Sequence, residues 1–222
     1  MIAYFRQNRC GALLTALCLL ILVDSSVGLG SWVSALLTAL LVITLVLATW
    51  ALRVRGPTLA ALVVLGLVVV GVLIVRLDDR HWLWAVGLAA LAAFTGIITI
   101  CLLHYVLNLQ AITADKVFGA VDAYVLIAFT FASLFGVLQQ VQPHAFHASP
   151  IHAPDEHLDW PTMMYFSFTV LTSTGFGEIT PVTRMARSLI IIEQVLGVMY
   201  VAFLVARLAN LWGPRRDRSR LG

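Results

Sequence analysis

The sequence predicts an all-α membrane protein, and three observations lead to that fold class. The chain has 222 residues, of which 61% are hydrophobic and 11% charged, whereas a soluble domain carries about 25% charged residues. Apolar segments long enough to cross a bilayer recur along the chain. Tryptophans and basic residues gather at the ends of these segments, as expected at a membrane surface. This distribution suits lipid headgroups better than nucleic acid, so we expect membrane lipids and no nucleic acid as partners.

Six apolar segments are predicted to span the membrane, because a helix needs about 20 mostly apolar residues to cross the hydrocarbon core. Charged stretches such as RVRGP at 53–57 and RLDDRH at 76–81 separate them. Short connections make neighbouring helices antiparallel. The predicted spans are 9–29, 32–52, 58–76, 82–107, 117–141 and 184–212.

The positions of the basic residues predict that both termini are cytoplasmic. With six spans, most Lys and Arg residues near helix ends fall on one side of the membrane, whereas the loop 142–159 on the other side has none. Arg184 and Arg187 are exceptions. The residues on the cytoplasmic side are Arg6, Arg9, Arg53, Arg55, Lys116, Arg207, Arg215, Arg216, Arg218 and Arg220.

A further apolar run at 160–172 is too short to cross and is predicted to be a re-entrant helix. Asp159 is placed to cap its N-terminus and Pro161 lies in its first turn. The chain must then return to the side from which it came, so that the last span can begin there. Its return path is the polar segment STGFGEITP.

Irregular backbone at membrane depth is tolerated where it is buried in protein or lines a water-filled path. Gly175 and Gly177 can adopt positive φ, which lets successive carbonyls point the same way. A row of carbonyls along an axis can replace the water around a cation. The negative end of the preceding helix favours cations there as well.

The run TVLTSTGFGEITP at 169–181 resembles the filter signature of the tetrameric potassium-channel superfamily. The longer run YFSFTVLTSTGFGEITPVTRMARSL is similar to the bacterial group in which a two-helix pore module follows extra N-terminal spans. The resemblance covers residues 113–212. It implies a passive potassium-selective channel in a bacterial inner membrane, with K⁺ ions in the filter, no other cofactor and no enzymatic activity.

The resemblance also implies a domain division. It comprises a four-span N-terminal domain at 1–108, a cytoplasmic linker at 109–116, a pore domain at 117–212 and a basic cytoplasmic tail at 213–222. Within the pore domain it implies an outer helix at 117–141, an extracellular turret at 142–159, a pore helix at 160–172, a filter at 173–177 and an inner helix at 184–212.

Roles carried over from the family place K⁺ at the carbonyls of Ser173, Thr174, Gly175 and Phe176, within a filter segment that extends from Thr172 to Gly177. Gly197 takes the position of a hinge glycine in the inner helix. Because one filter strand cannot enclose an axis, the resemblance implies a homotetramer, in which each chain has three identical partners.

Four residues depart from the family pattern. Ser173 stands for Thr, Thr174 for Val or Ile, Phe176 for Tyr and Glu178 for Asp. Phe176 lacks the hydroxyl that would bond the pore helix, and Glu178 is expected to find Tyr165 or Thr169 as a partner. The alternatives are a non-selective monovalent cation channel on the same fold and a potassium-transporter subunit, although the latter class has four linked pore repeats and this chain has one.

Voltage sensing is not expected, because a sensor needs regularly spaced Arg or Lys and the span 82–107 has none. The loop histidines His144, His147, His152 and His157 could bind metal or sense pH, but a solvated turret is favoured.

Three carboxylates fall within or near the predicted spans. Glu193 lies inside the last span, where it either pairs with a pore-helix hydroxyl and modulates the channel or faces a polar pocket between helices. Asp24 and Asp122 lie near span ends, where we expect water to reach them.

Overall fold

The computed structural model describes residues 9–24, 44, 46, 49, 56–74, 81–108, 113–148 and 158–212. Most of the predicted second span, linker residues 109–112, the middle of the turret and the tail 213–222 lie outside the described residues. His152 and His157 belong to that undescribed part as well.

Six helices have bounds within the described residues, and the last four account for the predicted fourth and fifth spans, the re-entrant helix and the last span. α4 begins three residues before the predicted start of the outer helix, because Thr113 caps it and its side chain accepts the amide of Lys116. The helices are α1 Arg9–Asp24, α2 Pro57–Ile74, α3 His81–Leu107, α4 Ala114–Val141, α5 Trp160–Leu171 and α6 Arg184–Trp212.

Among the described residues, three stretches of helix are long and apolar enough to cross a membrane. They are Trp82–Leu107 in α3, Ala114–Val141 in α4 and Arg184–Arg207 in α6. The apolar stretches of α1 and α2 are shorter, at Arg9–Leu22 and Pro57–Gly71. The described part of the chain is therefore mostly helical, with three candidate membrane helices.

A two-stranded antiparallel sheet corrects the prediction of an all-α fold. β1 (Phe146–Ala148) lies in the predicted turret and pairs with β2 (Ile179–Pro181), which follows the candidate site. Phe146 is buried and packs edge-on against Phe135 of α4 and Phe166 of α5. An aromatic side chain thus anchors this part of the turret. The prolines and histidines of the loop do not indicate the pairing of β1 with β2.

α4 is the centre of the packing, with α1, α3 and α5 against it. At its N-terminal end the carboxylate of Asp115 accepts two hydrogen bonds from other helices. Its Oδ1 accepts the amide of Cys10 at the start of α1 (2.9 Å), and its Oδ2 accepts the hydroxyl of Tyr105 in α3 (2.9 Å). The first amides of a helix have no partner within it, so Asp115 caps α1 from another helix and ties three helices together.

We expect Asp115→Ala to lower the free energy of unfolding by about 1–2 kcal/mol, since it removes the acceptor for an unpaired helix amide and for a hydroxyl. Tyr105→Phe removes one donor and leaves the bond to Cys10, so its loss should be smaller. Thermal unfolding of the detergent-purified protein, followed by tryptophan fluorescence, measures both. Unchanged stability in the Asp115 variant would contradict the capping role.

Candidate ion-conduction site

The candidate site begins at α5, a helix of 12 residues. Its length is about 18 Å, well short of the bilayer core of about 30 Å. Asp159 caps it as predicted, with its carboxylate accepting the amide of Thr162 at 3.1 Å, and Pro161 lies in the first turn. Helical geometry ends after Leu171, and the chain turns into the 172–177 segment.

The amides of three successive residues after α5 point back to its last turn. Ser173 donates to the carbonyl of Val170 (2.9 Å), and Thr174 and Gly175 both donate to the carbonyl of Thr169 (2.9 and 3.3 Å). In a trans peptide the N–H and the preceding C=O point in opposite directions, and the described residues contain no cis peptide. The carbonyls of Thr172, Ser173 and Thr174 therefore point away from α5.

Positive φ recurs at every second residue of this segment. Ser173 has φ 55°, Gly175 55° and Gly177 83°. The left-handed conformation costs glycine nothing, whereas it is uncommon for serine. All six residues from 172 to 177 are exposed on the single chain, so their polar backbone has open space in front of it.

Tyr165 of α5 supports the far end of the segment. Its ring stacks on Phe176, with centroids 6.4 Å apart and planes at 3°. Its hydroxyl hydrogen-bonds to the carboxylate of Glu178. Of the two expected partners of Glu178, the structure selects Tyr165, because the Thr169 hydroxyl donates to the carbonyl of Phe166. The hydroxyl that Phe176 lacks is thus supplied from the helix side.

The hydroxyl of Thr174 forms a hydrogen bond within the 172–177 segment. Its Oγ1 lies 2.8 Å from Oγ1 of Thr172, while the Thr172 hydroxyl also lies 2.8 Å from the carbonyl of Phe168. Because the Thr172 hydroxyl has one hydrogen and the carbonyl needs it, the Thr174 hydroxyl donates to Thr172. The side chain at 174 is therefore held by a hydrogen bond along the segment rather than by apolar packing.

α6 contacts the rest of the chain along one narrow stripe. In its most apolar window 11% of the residues are buried, against 67% in α4. The stripe includes polar residues seven positions apart, and each of them bonds another helix. Glu193 bonds Ser167 of α5, Tyr200 donates to the carbonyl of Ala120 (2.5 Å), and Arg207 donates to the carbonyls of Val106 and Asn108. The buried or half-buried residues of α6 are Ala186, Leu189, Ile190, Glu193, Gly197, Tyr200, Leu204 and Arg207.

Gly197 of α6 lies directly against the C-terminal end of α5. A Cβ at this position would lie 2.1 Å from the carbonyl oxygen of Leu171, the last residue of α5. α6 continues as a helix through Gly197. The structure thus gives this glycine a packing role, while its role as a hinge stays a prediction.

The structure also places the carboxylates and loop histidines that the sequence singled out. Glu193 is fully buried and pairs with a pore-helix hydroxyl, the first of its two expected environments. Asp122 is also fully buried, which corrects the expectation that water reaches it. His144 and His147 are exposed, and no group of three His, Cys, Asp or Glu side chains in the described part of the chain is placed to hold a metal.

Sequence reasoning missed Ser167, Tyr200 and Arg207. The spacing of Glu193, Tyr200 and Arg207 by seven residues was available in the sequence, since positions two turns apart share a face of a helix. A polar stripe on an otherwise apolar span indicates a face turned to protein rather than to lipid.

A family model described as "Ion channel" matches residues 119–212. The chain is also 30% identical over 124 residues to Protein LctB of Geobacillus stearothermophilus, an alignment that covers 52% of this chain and 92% of that protein. This chain belongs to the family of that protein and contains an ion channel domain. The matched region contains α4, α5, the 172–177 segment and α6.

Two further relatives match parts of this ion channel. Protein LctB of Bacillus caldotenax is 29% identical over 133 residues, which cover 55% of this chain and 98% of that protein. "Probable potassium channel protein 2" of Methanocaldococcus jannaschii is 37% identical over 55 residues, or 25% of this chain and 16% of that protein. No solved structure matches the chain. The family and the apolar helices together make this a membrane protein.

We expect Gly197→Ala to separate α5 from α6, because the added Cβ meets backbone and not a flexible side chain. Overpacking of this kind costs on the order of 1–3 kcal/mol, and the displaced end of α5 should reduce ion flux. Gly71→Ala is the matched control, since a Cβ there meets nothing within 4 Å. Flux from proteoliposomes and thermal unfolding measure both variants, and equal behaviour of the two would contradict the close-packing role.

Proposed function

We propose that this ion channel is a passive, potassium-selective homotetramer in which K⁺ moves between stacked sites of backbone carbonyls. The sites are formed by Ser173, Thr174, Gly175 and Phe176 of four chains. Ions advance by mutual repulsion through several sites of moderate affinity. No covalent chemistry and no cofactor other than the conducted ion takes part.

One observation carries the proposal, namely the direction of the carbonyls after α5. Three amides are occupied by the last turn of α5, so the carbonyls of Thr172, Ser173 and Thr174 have no partner on that side and point into open space. Carbonyl oxygens in a membrane need partners, and a dehydrated cation supplies them. The C-terminal end of α5 adds its negative dipole behind the same atoms.

The exposure of α6 supports the tetramer. The polar 172–177 segment is exposed on the same chain. If a single chain were surrounded by lipid on all its free faces, this segment would have no polar environment. Four chains around an axis would place that segment on the axis and cover part of α6. Large apolar side chains such as Ile192, Met199 and Phe203, which are exposed on the single chain, are then shared between subunit contacts and lipid.

The proposed topology has six spans with both termini cytoplasmic, in a bacterial inner membrane, and it keeps the predicted division into a four-span domain, a linker, a pore domain and a basic tail. It is supported by the distribution of basic residues and by the ion channel match at the C-terminal half. α3 contains no Lys or Arg, so we propose that this channel is not gated by voltage. α3 contacts α6 at Arg207, which donates to the carbonyls of Val106 in α3 and of Asn108 just after it.

A non-selective monovalent cation channel on the same fold is the second candidate. The hydrogen bond between the hydroxyls of Thr172 and Thr174 favours it, because a side chain bonded along the segment does not pack behind it. A loosely held segment can adjust its oxygens to the smaller Na⁺ ion. Selectivity then depends on the support that Tyr165 gives at Phe176 and Glu178.

Reversal potentials in planar bilayers with K⁺ on one side and Na⁺ on the other separate the two candidates. A potassium-selective filter predicts a reversal potential close to the K⁺ equilibrium value. A reversal potential near zero would contradict selectivity and leave the non-selective channel as the function.

Gly175→Ala should abolish K⁺ flux from proteoliposomes, because alanine at φ 55° is strained by about 1–2 kcal/mol and relaxing that strain turns a carbonyl away from the axis. Gly56→Ala is matched for strain, since Gly56 has φ 71° and likewise nothing within 4 Å of an added Cβ, but it lies outside the filter segment. We expect its flux to stay near that of the wild type. Undiminished flux in the Gly175 variant would overturn the filter assignment.

A further inference from the structure

Behind the candidate filter, one hydroxyl group lies between two oxygen atoms. Oγ of Ser167 is 2.8 Å from the carbonyl oxygen of Ala128 in α4 and 2.5 Å from Oε1 of Glu193 in α6. Ser167 and Glu193 are both fully buried. The three groups connect three helices, α4, α5 and α6, through a single serine.

The number of hydrogens decides how these contacts are made. A serine hydroxyl has one hydrogen, a carbonyl has none, and an ionised carboxylate has none. Two short oxygen–oxygen contacts need two hydrogens. The Ser167 hydroxyl supplies one, and the other must come from Glu193.

The surroundings of Glu193 agree with a neutral side chain. Its second oxygen, Oε2, is buried and has no hydrogen-bond partner among the described residues. No Lys, Arg or His in that part of the chain forms an ion pair with it. The titratable group beside it is Tyr124 of α4, whose hydroxyl donates to the carbonyl of Leu171 (3.4 Å). A negative charge in such a place has nothing to offset the loss of water.

We propose that Glu193 is a protonated carboxylic acid that donates to Ser167, so that Ser167 can donate to Ala128, and that this proton-dependent chain holds α5 and the filter in the conducting position. Glu193 is a positioning residue, since it touches no conducted ion. The effect on conduction rests on the proposed function, whereas the proton itself does not.

The hydrogen bonds from Glu193 through Ser167 to Ala128 lie close to the bonds that orient the filter. Ser167 is two residues before Thr169, whose carbonyl accepts the amides of Thr174 and Gly175. One turn further along α6, Gly197 touches the last carbonyl of α5. Loss of the Glu193 proton leaves two acceptors facing one hydrogen, so either the link to Ala128 or the link to Glu193 breaks, and α5 loses its hydrogen bond to α4 or to α6.

Infrared spectroscopy of the full chain in lipid vesicles tests the proton. We expect the wild type at neutral pH to show the carbonyl stretch of a protonated carboxylic acid that disappears in Glu193→Gln. Asp122 is a second buried carboxyl, so Asp122→Asn is the matched control and should leave the Glu193 band in place. A difference spectrum between the wild type and the Glu193→Gln variant with only ionised-carboxylate bands would overturn the proposal.

Potassium flux against pH tests the positioning role. The wild type and Asp122→Asn should lose most of their flux as the pH rises into the alkaline range, whereas Glu193→Gln, whose amide can donate to Ser167 without titrating, should keep it. Ser167→Ala should have low flux at every pH, and Ser167→Thr should restore it. Equal alkaline loss in the wild type and the Glu193→Gln variant would overturn the role.

The two readouts separate this proposal from the channel itself. A wild type without K⁺ flux at any pH would contradict the proposed function, and the infrared band would still decide whether Glu193 holds a proton. If Glu193→Gln fails to fold, the band that remains in the Asp122→Asn variant and its loss on alkaline titration give the same decision.

Discussion

The amides of Ser173, Thr174 and Gly175 hydrogen-bond to the last turn of α5, and the geometry of the candidate site depends on these bonds. They satisfy helix carbonyls that would otherwise have no partner. They also fix the direction of the carbonyls that follow, since a planar peptide cannot turn one group without the other. Backbone groups in a membrane need partners. The bonds that meet this need at the end of α5 also direct the next carbonyls away from the helix.

The elements around α5 hold that turn in place from several sides. Asp159 caps the start of the helix, Tyr165 reaches the outer end of the segment, and Ser167 and the carbonyl of Leu171 meet α6. The β1–β2 sheet fastens the chain that leaves the segment. Apart from Tyr165, these contacts lie behind or beside the 172–177 segment, which leaves its front open for a symmetric partner or an ion.

Local chemistry explains which features the sequence predicted. The cap at Asp159, the short helix after it and the bounds of α6 follow from residue types within a few positions of one another. The capping of α1 by Asp115 and the anchoring of β1 by Phe146 join residues far apart in the chain, and the sequence pattern did not predict them. For Glu193 it offered a pore-helix hydroxyl as one of two environments, but it did not single out Ser167. The prediction that water reaches Asp122 was wrong for the same reason, because distance from a helix end does not reveal which neighbours cover a side chain.

The central claim is that the carbonyls after α5 line an ion path shared by four chains. A structure of the protein determined in lipid nanodiscs with K⁺ tests it most directly. The account predicts fourfold symmetry with ion density on the axis, ringed by the carbonyl oxygens of Ser173, Thr174, Gly175 and Phe176. An assembly in which these carbonyls face α5 or lipid, or an axis without ion density between them, would contradict it.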